Sequence, residues 1–216
     1  MIYLSLTAFC IYHLVKSYQF ENDHQANTDT SLMGYLFIMN NMGASLWVLA
    51  WLFHYPGISV ILMILQLLTL LAINIRLHIY NPHRTWTHKI LTQMPLSIYF
   101  GWICVATIAN ISAWLVSVNW SGMGISDTYW AVILIGLATL VTLFIVFVRR
   151  NLFFAAVVVW ALHGILYKNQ HSALSDTQQV IQACYAAISL IVLSGIIQAI
   201  NNIRLSRIEA NTPYAT

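Results

Sequence analysis

The chain has 216 residues, of which 60% are hydrophobic and 7% charged, and its formal net charge is +3. Soluble domains carry about 25% charged residues, so most of this surface must face lipid or another chain, which argues against a soluble catalytic domain. A charge this small, with no basic run longer than two residues, gives no footing for nucleic acid.

Measured against a hydrocarbon core of roughly 30 Å, the apolar runs 1–15, 32–53, 58–79, 95–118, 130–148, 152–167 and 181–203 predict seven spans. The fold class expected is all-α, a polytopic integral membrane helical bundle. The first run would rise only ~22 Å and reads as a shallow helix or the later part of a longer one. Met1 is followed directly by apolar residues with no basic leader, unlike a signal peptide. Segment 21–31, with three acids, is predicted to be a cytoplasmic loop. Breaker residues mark the later connections: Pro56-Gly57, Asn81-Pro82, Gly122-Met123-Gly124 and Arg149-Arg150-Asn151. Residues 209–216 read as a frayed tail.

The charges test this count. Lys16, Arg76, Arg84, Lys89, Arg149, Arg150, Arg204 and Arg207 fall on one side of a seven-span arrangement and Lys168 alone on the other. The positive-inside pattern places the C-terminus in the cytoplasm and the N-terminal end outside, with a bacterial cytoplasmic membrane as the expected location.

No Asp, Glu, Lys or Arg is expected deep in a span, which argues against a proton pump or cation-coupled antiporter. The three lysines lie at loops or span ends, so no Schiff-base lysine for retinal is available. There is no phosphate loop, no HExxH, no nucleotide fingerprint and no Ser-His-Asp order, and no catalytic residue is assigned. Cys10, Cys104 and Cys184 stand apart without metal spacing and read as small buried thiols. Asn40, Asn41, Gln66, Asn74, Asn110, His163 and Gln198 are expected at depth, where each must find a partner inside the bundle or line a cavity. His13 and His163 have the depth of an axial haem ligand. Without paired histidines on one helix, hydrogen-bonded structural roles are favoured for both.

Trp86, Trp120 and Trp130 fit interfacial anchoring. A different pattern occupies the fourth span, where Tyr99, Trp102, Ala106, Asn110 and Trp114 are spaced +3, +4, +4 and +4. They share about 120° of one helix face. Two indoles, a phenol and an amide around a small residue suit a slot for a planar aromatic ligand, or a notch for a crossing helix. Trp47 and Trp51, four apart on the second span, offer a second aromatic wall.

The stretch from Pro95 to Trp114 resembles the last helix of the TspO/MBR family, the tryptophan-rich sensory or translocator proteins. That helix reads roughly P-Y-x-x-W-x-x-x-A-T-x-x-N-x-x-x-W, and Tyr99, Trp102, Ala106, Thr107, Asn110 and Trp114 stand in register. The second span is similar to the family's middle helix at Trp47, although Ala44 stands where its asparagine is expected. The resemblance covers about 1–119 and implies a four-span TspO/MBR-like region, followed by three additional helices over 120–208 and the tail. It also implies that the first family helix is missing. By this resemblance the chain is expected to be a membrane receptor or sensor for a porphyrin or related tetrapyrrole, with Trp102, Ala106 and Asn110 at positions that line the family's pocket; the aromatic pattern adds Trp47, Trp51, Tyr99 and Trp114 to the expected ligand-binding set. Ile111 and Leu115 replace the residues of the family's sterol motif. No cofactor is required, and a bound porphyrin or haem is compatible. The expected partners are the lipid bilayer and a hydrophobic small-molecule ligand, without nucleic acid and with homodimer formation left open. The alternatives are a facilitative transporter of a neutral small solute, a non-catalytic structural subunit and, less favoured, slow light-dependent porphyrin breakdown.

Overall fold

The computed structural model describes residues 2–19, 24–79, 85–172 and 177–211, with side chains described over 2–18, 28–79, 85–172 and 177–204. These residues form seven helices and no strand: α1 Ile2–Gln19, α2 His24–Leu52, α3 Pro56–Arg76, α4 Trp86–Ser117, α5 Asp127–Arg149, α6 Leu152–Gln170 and α7 Gln178–Asn211. The all-α bundle is as expected. Six of the helices, α2 to α7, contain stretches long and apolar enough to cross a membrane; α1 is not among them. Asn81-Pro82 lies outside the described residues.

The chain divides into two units, Met1–Ser121 and Gly122–Thr216. In the first, α3 packs against both α2 and α4, and α1 packs against α2 and α4. Pro56 starts α3 because its missing N–H is one the first turn would leave unpaired anyway. The core at the α1 end gathers Phe9, Met33, Ile73, Leu77, Ile79 and Leu96. Gly43 allows α2 to approach α3 closely, since a Cβ there would lie 3.3 Å from Gln66 Cγ. In the second unit α5, α6 and α7 pack on one another. Arg150 ends α5 in a left-handed conformation, and the Asn151 side chain then caps α6 by accepting from the Phe154 N–H at 3.2 Å. Trp130 is fixed by an indole N–H that donates to the Gly122 carbonyl at 2.8 Å. The outer faces stay apolar (Leu137, Leu140 and Phe144 on α5 are exposed), as lipid-facing surfaces require. This is an integral membrane protein.

Two boundaries depart from the sequence reading. The predicted loop 21–31 is helical from His24 onward, and Asp29 within it is fully buried. Gly34 breaks α2 there with φ 42° and ψ −131°, so residues before it form an arm angled from the main span. The fourth span starts at Trp86 rather than Pro95, which sits inside a continuous helical path. A proline ring ordinarily clashes with the carbonyl four residues back. Here a π-helical turn at Lys89–Gln93 precedes Pro95, with the Met94 N–H bonded to the Lys89 carbonyl, and widens the helix where the ring enters.

The deep polar residues behave unequally. Asn40 bridges α2 to α3, its Nδ2 donating to the Gln66 carbonyl and to Thr69 Oγ1, both at 3.0 Å. Asn41, Gln66 and Asn74 turn back to carbonyls of their own helices, and Gln198 donates to Asn202 on the same helix at 2.8 Å. His163 is exposed on α6, a correction to its expected place inside the bundle: α6 is apolar on every side, so periodicity could not say which face packs inward. The ring nitrogens of His13 meet Thr92 Oγ1 at 3.1 Å and Thr30 Oγ1 at 3.5 Å, a hydrogen-bonded role.

Candidate functional site

Five of the seven predicted ligand residues lie on α4 and two on α2. On α4, Tyr99 and Asn110 are buried, while Trp102, Ala106 and Trp114 are half-buried. The buried side of α4 faces α3. Ser59 Oγ shares its one proton between the Pro56 carbonyl at 2.7 Å and Asn110 Oδ1 at 3.0 Å, and Ser59 is itself fully buried. One turn on, the Trp114 indole covers the start of α3, with Nε1 only 3.4 Å from where a Gly57 Cβ would stand. Asn110 and Trp114 therefore hold α4 to α3, while Trp102 and Ala106 are half-buried on the same helix. The sequence reading did not identify Ser59. Its place one turn into α3 after Pro56-Gly57 gave no signal that it would meet a residue 51 positions later.

Replacing Ser59 by alanine is expected to leave the Asn110 carbonyl oxygen without its donor and to cost about 1 kcal/mol. The measurement is the unfolding midpoint in mixed micelles; Ser59→Thr, which keeps the hydroxyl, is the control.

On α2, Trp47 and Trp51 stack with ring centroids 6.0 Å apart and planes 23° from parallel. Trp51 is 47% exposed. Trp47 Nε1 is buried and makes no hydrogen bond. An indole N–H is a donor only, and a buried donor without an acceptor is rare enough to need a cause. The structure thus joins the predicted residues into two groups, the Trp47–Trp51 pair and the α4 stripe, on helices that both lie against α3.

The family model described as TSPO-like protein matches residues 1–197. The chain belongs to the TSPO-like family. The match runs past residue 119, where the motif resemblance ended, and takes in most of the second unit of this TSPO-like chain. No curated protein and no solved structure matches it.

Proposed function

We propose that this TSPO-like membrane protein is a receptor or sensor for a planar hydrophobic ligand of the porphyrin or related tetrapyrrole class. The observation that carries the reading is the buried, unpartnered Trp47 N–H beside its stacked neighbour Trp51. Such a pair supplies an aromatic platform and one hydrogen-bond donor in search of an acceptor, the general composition of a small-molecule site. A tetrapyrrole offers both complements, a wide flat ring to stack and carboxylate oxygens to accept. Trp102 and Ala106 on α4 provide the second wall. The charge distribution of the sequence supports an orientation in a cytoplasmic membrane with the C-terminus on the cytoplasmic side.

Titration of the purified protein with protoporphyrin is expected to quench tryptophan fluorescence and to saturate. Trp47→Phe keeps a ring but removes the N–H and should weaken binding about tenfold, the scale of one hydrogen bond to a charged acceptor. Trp102→Leu should weaken it as well. Unchanged affinity in both variants would overturn the assignment. Porphyrin-independent flux of a small solute through proteoliposomes would instead favour transport.

A further inference from the structure

The second unit sorts its charges between two ends. Among its described side chains the charged ones are Asp127, Arg149, Arg150, Lys168 and Arg204. Helix α5 has 23 residues from Asp127 to Arg149 and rises about 33 Å, enough to cross a core of about 30 Å. Asp127 therefore lies at one membrane surface and the turn from α5 to α6 at the other. Helix α6 runs back and carries Lys168 in its last turn, so one acid and one base share the Asp127 surface and offset each other. Helix α7 crosses again towards the arginine surface. An added Cβ at Gly195 would lie 4.0 Å from Leu152 Cδ2 at the start of α6, and Arg204 is about 13 Å further along α7 on that side. The arginine end thus carries Arg149, Arg150 and Arg204 and, among the described side chains, no acid.

Arg150 stands in a conformation that its side chain does not favour. It ends α5 with φ 53° and ψ 26°, the left-handed position that is usually glycine and sometimes asparagine at a helix end. Its side chain is exposed, and the neighbouring Arg149 is half-buried. A local preference overridden by a charged, outward side chain points to a use for the charge. Phe147, Val148 and Phe153, on the helices either side of the turn, are exposed and apolar. Guanidinium groups fork onto phosphate oxygens in a bidentate geometry. Apolar side chains beside such a pair, on the membrane side of it, suit acyl chains, whereas a soluble anion would gain nothing from them.

We propose that the turn joining α5 to α6 is a binding site for the headgroup of an anionic phospholipid. Arg149 and Arg150 take the phosphate, Arg204 adds to the positive potential at that surface, and Phe147, Val148 and Phe153 lie along the acyl chains. An anionic lipid is preferred to phosphatidylcholine because the choline cation offsets the phosphate charge and is repelled by the arginines. All the aromatic residues assigned to the planar ligand belong to the first unit, so this site stands whether or not they bind a tetrapyrrole.

The test is titration of the full chain, in a neutral detergent, with dioleoyl phosphatidylglycerol and separately with dioleoyl phosphatidylcholine, the bound lipids being counted by native mass spectrometry. The first phosphatidylglycerol is expected to bind about tenfold more tightly than phosphatidylcholine, and Arg150→Gly and Arg150→Asn should each weaken that step about fivefold, the scale of one basic residue at an anionic surface. Both replacements suit the left-handed turn, so the unfolding midpoint should hold or rise and the lost affinity would not reflect lost structure. Lys168→Gln, at the opposite surface, should leave the step unchanged. Equal affinity for the two lipids overturns the proposal, as does unchanged phosphatidylglycerol affinity in both Arg150 variants. Displacement of phosphatidylglycerol by an equal concentration of inorganic phosphate also overturns it, by assigning the arginines to a soluble anion.

Discussion

Replacing Phe9 by alanine is expected to destabilise the first unit by about 3–5 kcal/mol, the range for truncating a buried phenylalanine. Phe9 is 2% exposed. Its ring lies 4.5 Å from that of His13 and 5.6 Å from that of Phe37, and it joins α1 to the core formed by Met33, Ile73 and Leu96. Inside a bilayer the loss is chiefly of dispersion contacts, because lipid tails are as apolar as the removed ring. The effect should be large because the Phe9 ring is nearly fully buried among residues of α1, α2, α3 and α4. Unfolding by a denaturing detergent in mixed micelles would measure the loss. Tyr3, 82% exposed on the same helix, provides the control: Tyr3→Ala should shift stability by no more than about 0.5 kcal/mol. Equal, small effects at both positions would mean that α1 is held by lipid and not by its core contacts.

The helices were legible because a bilayer imposes its own length on apolar runs, and the runs that became α3, α5 and α6 are preceded by the turn-forming residues Pro56-Gly57, Gly122-Met123-Gly124 and Arg149-Arg150-Asn151. The α4 stripe was legible in part for a similar reason. Spacing at 3.6 residues per turn put Tyr99 and Asn110 on one face, and both are buried. Spacing could not reveal that Asn110 is taken by Ser59, because that bond joins two helices whose relative register is a tertiary property. The arm of α2 was misread for the same physical reason. A segment with three acids in eleven residues looks solvated, yet Asp29 is buried with His88, 59 positions away, as a partner. Pro95 was misread through a local rule. Proline is favoured in the first turn of a helix, and the π turn that lets the helix begin nine residues earlier leaves no mark in hydropathy. The i, i+4 spacing of His88 and Thr92 was the one available sign that polar side chains share a face there.

Gly34→Ala is expected to cost about 1–3 kcal/mol, the scale of holding a non-glycine residue in a sparsely allowed backbone conformation. The residue has φ 42° and ψ −131°, outside the regions open to L-residues with a Cβ. An added Cβ would meet nothing within 4 Å, so crowding plays no part and the cost is that of the backbone alone. Gly136 on α5 offers the matched control. Its added Cβ also meets nothing within 4 Å, but its φ is not positive, so Gly136→Ala should be neutral or slightly stabilising. The chain can escape the strain at position 34 by straightening α2, which would swing the arm away from α4 and pull Asp29 from His88. The two changes then remove one and the same contact. A double-mutant cycle distinguishes this from local strain: if the break at Gly34 is what delivers Asp29 to His88, Asp29→Asn should cost much less in the Gly34→Ala background than in the unmodified chain. Full additivity would show that the arm stays seated whatever the backbone at Gly34 does.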